Sequence, residues 1–322
     1  MSETDATYDA FVAASPQGTL FCRSWWLDAT AGPGRWRHAD VCDADGRLVA
    51  TWPAVIRHTR FGDVLTGAPL TPYLGPLLSA GEGRQRRSRE VDQLERLADA
   101  LKPYAHVDAR CSPRLDYWAP LAWHGFSQTS HYTWRLEDVS DEEAALARLQ
   151  NPARRQVSKA QRLGLVVEEG SVDDLVALQR QTYERQEAGG GSPEALVRRI
   201  AAVVEDHGAG EILVARDDTG RAHSASMFVH DERTTWYLLG ASDTELRASG
   251  SASLLMWEGI RRAGVRRTAF DFEGSMLRHL ERFVRNFGGE PVPYSIVRHT
   301  PSRQWRWRTA SGRITRRALR RP

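Results

Sequence analysis

The sequence predicts an α/β (α+β) protein made of two tandem units, each a mixed, mostly antiparallel sheet flanked by helices. Three observations predict it. A strand–turn–strand signal occurs twice, each copy leads through a further strand to a helix and a short strand, and each closes on a strand that carries a tyrosine. The chain's 322 residues also suit two domains better than one.

The elements follow in order. In the first half, Arg37 to Cys42 runs through Asp43-Ala44-Asp45-Gly46-Arg47 into Leu48 to Ile56. In the second, Ile212 to Ala215 runs through Asp217-Asp218-Thr219-Gly220-Arg221 into Ala222 to Val229. Both pair extended runs around an Asp/Gly turn, the hairpin signal. A strand follows at Asp63 to Leu65 and at Thr235 to Leu239. Helices are expected over Arg89 to Leu101 and over Ser253 to Ala263, where Val91, Leu94, Leu97 and Leu101, and Leu254, Leu255, Trp257 and Ile260, recur at helical spacing. Short strands follow at His106 to Ala109 and Thr268 to Phe272, and the closing strands are Tyr132 to Leu136 and Tyr294 to Arg298.

Between the halves, Asp141 to Gly164 has helical periodicity broken by Pro152, which predicts two helices or a kinked one. A helix over Val172 to Arg185 opens on Ser171, with Asp173 and Asp174 in its first turn. Gly189-Gly190-Gly191 reads as a loop, and Ser192-Pro193-Glu194 as the next helix start. The expected domains are 1–137, 138–300 and a basic tail, 301–322.

Composition narrows the function classes. A hydrophobic share of 41% and a charged share of 26% describe an ordinary globular chain, and the net charge is only +3. Cys22, Cys42 and Cys111 are far apart and form neither a disulfide nor a zinc framework. The acidic start, Met1-Ser2-Glu3-Thr4-Asp5, has no apolar stretch behind it, and no apolar run is long enough to span a bilayer, so a cytoplasmic protein is expected. The scattered histidines offer no metal spacing, and neither a G-x-S-x-G elbow nor a Walker A loop is present.

The sharpest local signal is Arg247-Ala248-Ser249-Gly250-Ser251-Ala252 between a strand and a helix. Small residues there admit close backbone approach, and the helix behind them presents unpaired N–H groups to an anion such as a phosphate. An ordinary strand-to-helix loop that needs glycine for its turn is the plainer alternative. The first half, at Leu74-Gly75-Pro76 to Gly83-Arg84, lacks the pattern.

At the end of a strand, Phe270-Asp271-Phe272-Glu273-Gly274-Ser275 places Asp271 and Glu273 on one face. Either carboxylate could accept a proton from an amine; alternatively one pairs an arginine and the other caps a helix. Tyr294 is a candidate acid for a leaving group, or a packed strand tyrosine. Arg148, Arg154, Arg155, Lys159 and Arg162 give a basic face, and the tail from Gln304 to Arg321 mixes tryptophan with arginine. Such runs can hold phosphates and stack bases, or simply be solvated.

Together these residues resemble the GNAT superfamily of acyltransferases, and the whole chain resembles its two-domain, FemABX-like branch of peptidoglycan bridge aminoacyltransferases and relatives. The R-x-x-G-x-A loop, the basic stretch Leu149 to Gly164, Thr182-Tyr183-Glu184-Arg185, the strand end Asp271 to Gly274 followed by Phe283 to Gly289, and the proline-rich Pro69 to Pro76 carry the resemblance.

The resemblance implies donor binding by Arg247, Gly250, Ser251 and Ala252. It implies attack of a primary amine on an activated acyl carbonyl, with Asp271, Glu273 and Tyr294 as catalytic candidates. Arg155, Lys159, Arg185, Trp236 and Arg285 are the candidate substrate contacts. Bridge-forming members carry a Phe-Lys pair where this chain has Phe283-Val284, which argues against a bridge-forming role.

The leading expectation is therefore aminoacyl or acyl transfer to an amine, with aminoacyl-tRNA slightly favoured as donor, no tightly bound cofactor, and no DNA partner. The acceptor would be a peptide, a peptidoglycan precursor or a small molecule. The alternatives are an acyl-CoA-dependent N-acetyltransferase and a non-catalytic binding module with the same fold.

Overall fold

In a computed structural model, residues 3–81, 83–184, 192–273, 276 and 278–301 are described. The chain divides into two compact units, Met1–His131 with Tyr294–Pro322, and Tyr132–Pro293.

The first unit begins with α1 (Glu3–Ala14) and α2 (Ser24–Thr30). Asp9 ties the two by accepting from the backbone N–H of Ser24 at 2.8 Å and from its hydroxyl at 2.6 Å. Then come β1 (Trp36–Cys42), β2 (Leu48–Arg57), β3 (Val64–Thr66), β4 (Leu77–Leu78), α3 (Arg86–Ala100), β5 (His106–Arg110), α4 (Ala119–Trp123) and β6 (Ser127–Leu136). The β1–β2 hairpin is antiparallel and turns where the sequence placed Asp43 to Arg47. Asp43 Oδ1 accepts from Asp45 and Arg47 N–H groups, and Gly46 supplies the positive φ of 79°. β3 pairs β5 in parallel. The apolar face of α3, led by Leu94, Leu97 and Ala98, packs with Trp52, Val107 and Phe126 in one core.

The second unit contains α5 (Glu142–Arg148), α6 (Asn151–Arg162), β7 (Val166–Glu169), α7 (Val172–Glu184), α8 (Glu194–Asp206), β8 (Gly210–Arg216), β9 (Ala222–His230), β10 (Thr234–Ser242), α9 (Ser251–Arg266), β11 (Ala269–Asp271) and α10 (Arg278–Arg285). Its sheet runs in the order β6-β11-β10-β9-β8-β7. The β10–β11 pair is parallel and the β7–β8, β8–β9, β9–β10 and β6–β11 pairs are antiparallel. Pro152 resolves as a boundary: α5 ends at Arg148 and α6 begins afresh at Asn151, with the proline in its first turn where the missing N–H costs nothing.

β12 (Glu290–His299) departs from the expected division at 138–300. From Tyr294 on it belongs to the first unit, where it pairs β5 from Ile296↔Arg110 to His299↔Val107. The second unit is closed instead by β6, through Phe270↔Leu136 and Asp271↔Arg135. Each unit thus takes its last strand from the other end of the repeat. A periodicity argument assigns a strand to the nearest sequence neighbours and carries no information about such an exchange.

Candidate functional site

The site of the second unit is made by two parallel strands that part. β10 and β11 are in register over Thr234↔Ala269, Thr235↔Phe270 and Trp236↔Asp271, and there the pairing stops. β11 ends, while β10 runs on against β9 to Ser242, with a bulge between Tyr237 and Leu239. A gap beyond the carboxyl ends of parallel strands is where α/β sheets hold ligands.

The loop from Arg247 to Ala252 lies at the same end of β10. Arg247–Ser249 form one 3-10 turn, Gly250 takes φ 86°, and α9 starts at Ser251. Glycine is required on two counts. The left-handed conformation disfavours a side chain, and a Cβ would stand 2.3 Å from the Gln156 carbonyl oxygen of α6. Lys159, one turn further along α6, donates to the Ala248 carbonyl at 2.5 Å. Arg221 grips the approach to the loop by pairing Asp243 at 2.7 Å and Glu245 at 2.9 Å.

Beneath the helix start is a group of serine hydroxyls that sequence reasoning missed. Ser224 meets Ser242 at 2.8 Å and Ser251 at 2.6 Å, and Ser249 donates to Ser251 at 3.1 Å. Ser251 is buried, while Arg247, Ala248 and Ala252 face solvent. Ser251 therefore braces the floor, and the surface offered to a ligand is the exposed edge of the turn with the positive end of α9.

The two carboxylates separate. β11 stops at Asp271, and Glu273 has left-handed backbone, φ 51°, so strand alternation does not carry to it and the shared face expected from the sequence does not form. Asp271 is fully buried, accepts from the Thr133 hydroxyl at 2.5 Å and from the Glu273 N–H at 2.9 Å, and stands 3.6 Å from Arg135. Those contacts hold the strand end in place. Glu273 is half-buried at the mouth of the gap.

Tyr237, also missed, is the first β10 residue after the parallel pairing. Its ring lies forward along its own strand, with the hydroxyl 1.9 Å from where a Gly240 Cβ would be. Burial pushes its pKa up to about 12; the negative Glu273 adds to the rise and a hydrogen bond with Ser226 opposes it. The phenol stays protonated at neutral pH and is a fixed proton or hydrogen-bond donor. Ser224, Ser226 and Gly240 gave a faint signal, small polar residues at period two in otherwise apolar strands.

The other candidates fall apart in space or lie outside the described residues. Tyr294 belongs to the first unit, with its ring 5.3 Å from Tyr73 and 5.9 Å from His131. Trp236 is 1% exposed, a buried core residue rather than a surface for a substrate. Arg155 is exposed on α6, and Arg285 is exposed on α10, 3.6 Å from Glu281. Arg185, Gly274, Ser275 and the basic tail from Ser302 onward lie outside the described residues. Among the described residues no group of His, Cys, Asp or Glu could hold a metal ion, and no helix is long and apolar enough to cross a membrane.

This geometry matches a known family. Residues 147–282 match the acetyltransferase (GNAT) domain. That match falls within the second unit. The chain is similar in fold to FemX, with a TM-score of 0.70 at 14% identity, covering 92% of this chain and 96% of that one. It is also similar to L-PGS from Bacillus licheniformis, with a TM-score of 0.54 at 13% identity over 98% and 97% of the two chains. A tandem GNAT protein from the clavulanic acid biosynthesis pathway gives a TM-score of 0.53 at 14% identity over 92% and 94%. No curated protein sequence matches the chain significantly. The likeness over both units is one of fold, and the acetyltransferase (GNAT) match covers residues 147–282.

Proposed function

We propose that this GNAT protein transfers an acyl group from acyl-CoA to a primary amine, with the donor's pyrophosphate on the start of α9. The observation that carries the reading is Gly250. Its left-handed turn brings the uncharged start of a 16-residue helix, with Arg247, Ala248 and Ala252 exposed beside it, to the end of the parted strands. Backbone N–H groups and the helix dipole there favour a pyrophosphate. The acyl arm would then enter between β10 and β11.

In this reading the amine attacks the thioester carbonyl, an oxyanion forms and collapses, and the thiol leaves. Glu273 takes the amine's proton, and Tyr237 supplies the proton that the leaving thiolate needs. Asp271 acts through its grip on the strand end, and positioning accounts for the larger part of the rate. The acceptor class is a primary amine on a peptide, a cell-wall precursor or a small molecule.

Aminoacyl-tRNA is the second reading, favoured by exposed Arg155 and Arg162 on the helix that abuts Gly250. Two other cations of that helix are engaged internally. Arg154 donates to the Leu146 and Ala147 carbonyls, and Lys159 to Ala248. That ties two of its cations to the protein's own backbone, so fewer can reach for a phosphate backbone, and sets acyl-CoA first. Thermal unfolding with acetyl-CoA, charged tRNA or uncharged tRNA separates the two, because a ligand of the native state raises Tm by mass action. A rise with acetyl-CoA alone is expected. A rise with charged tRNA alone would transfer the reading to aminoacyl transfer.

A further inference from the structure

A second concave site lies in the same unit, away from the donor loop. It is a cavity of about 550 Å³ between α8 and the ends of β7 and β8. Its floor is apolar, from Val204, Ile212 and Met227, and the small Ala201 and Ala202 of α8 leave the space open. That volume and lining are those of a small-molecule pocket.

The cavity and the donor loop lie on opposite faces of the sheet. On β9, Ser224 points to the α9 side, where it meets Ser251, and Met227, three residues on, points to the other side. A molecule in the cavity therefore does not occupy the seat at Gly250.

Charge selects the occupant. Arg198, on the wall, is already neutralised by Asp173 at 2.7 Å and Glu194 at 2.9 Å. Glu211 is matched by Arg262 and by Arg266, the latter at 2.5 Å. Glu169 and Glu205 are exposed at the rim, and neither side chain has an ion-pair or hydrogen-bond partner among the described residues. Two unmatched carboxylates over an apolar floor complement an organic cation with a hydrocarbon body and oppose an anion.

We propose that this cavity is a binding site for an aliphatic amine in its ammonium form, separate from the donor seat. The hydrocarbon part would lie on Ile212 and Met227, and the ammonium between Glu169 and Glu205. Glu211 lines the cavity and pairs Arg262 and Arg266 in the last turns of α9.

The test titrates hexylamine and hexan-1-ol into the full chain at neutral pH by calorimetry. Hexylamine is expected to bind, and hexanol more weakly by the loss of its charge. Glu169→Gln and Glu205→Gln should each weaken hexylamine about fivefold, the size of a partly exposed ionic contact, and leave hexanol unchanged. Ala202→Trp, which fills the space, should abolish binding of both probes. Retained stabilisation by acetyl-CoA or by charged tRNA would show each variant folded. Hexylamine affinity unaltered in both glutamine variants would overturn the proposal, as would binding of hexylamine and hexanol with equal strength.

Discussion

The two units start their post-sheet helices differently, and the difference supports the proposal that the donor sits on only one of them. In the second unit, α9 opens on Gly250 at φ 86° and presents Ala252, with no charge in the first turn and the buried Ser251 among the serine hydroxyls of its floor. In the first unit, α3 opens on Gln85, Arg86, Arg87 and Arg89 with no side-chain cap. Its cations are spent locally: Arg87 pairs Glu90 at 2.9 Å and Asp116 at 3.1 Å, and Arg86 stands 3.5 Å from Glu90. Cations at a helix N-terminus oppose the dipole and crowd the approach to its N–H groups. Both units keep a parallel strand pair, so the fold alone is not enough. The local chemistry of one helix start distinguishes them.

The largest effect should come from breaking the second unit's advantage. Gly250→Val forces a β-branched residue into a left-handed turn against the Gln156 carbonyl, and strain plus overlap should weaken donor affinity about a hundredfold or more. Equilibrium binding of acetyl-CoA checks it, with circular dichroism confirming the fold.

Tyr237→Phe comes next. Removing a positioned proton donor should lower kcat about a hundredfold, with a smaller change in KM. The same residue makes a stability prediction. Its folded pKa, about 12, lies above the ordinary 10.0, so its neutral form stabilises the fold below pH 10. That contribution is lost as pH rises from 10 toward 12. Urea midpoints of wild type and Tyr237→Phe across that window should therefore converge as pH rises.

Asp271→Ala leaves Arg135 buried without one of its acidic neighbours and the Thr133 hydroxyl without its acceptor. It should cost about 3 kcal/mol of stability by urea unfolding. Lys159→Met should weaken donor binding only about fivefold, the worth of one hydrogen bond to the Ala248 carbonyl. In the first unit, Arg86→Ser and Arg87→Ser together should leave donor affinity within about twofold, since additive behaviour is expected for sites with no shared partner.

The repeat and the type of nearly every element were legible in the sequence, because hairpin turns at Asp43 and Asp217 and helical spacing in α3 and α9 are local signals. So was the turn at Gly250, since only glycine suits that position. The strand exchange was not legible: whether β12 pairs β5 or β11 is decided by contacts across the whole chain. The roles of Asp271 and Glu273 were half legible. Spacing along a strand put them on one face, but the strand ends one residue too early for that rule to hold. Tyr237 was hidden because a tyrosine in an apolar strand looks like packing until the strand it follows is seen to part from its neighbour.

The central claim is that the donor sits on the start of α9 in the second unit. Calorimetric titration of acetyl-CoA into wild type, Gly250→Val and the Arg86→Ser/Arg87→Ser variant tests it most directly. The account predicts binding to wild type and to the arginine variant and none measurable to Gly250→Val. Equal binding to all three, or loss only in the arginine variant, would contradict it.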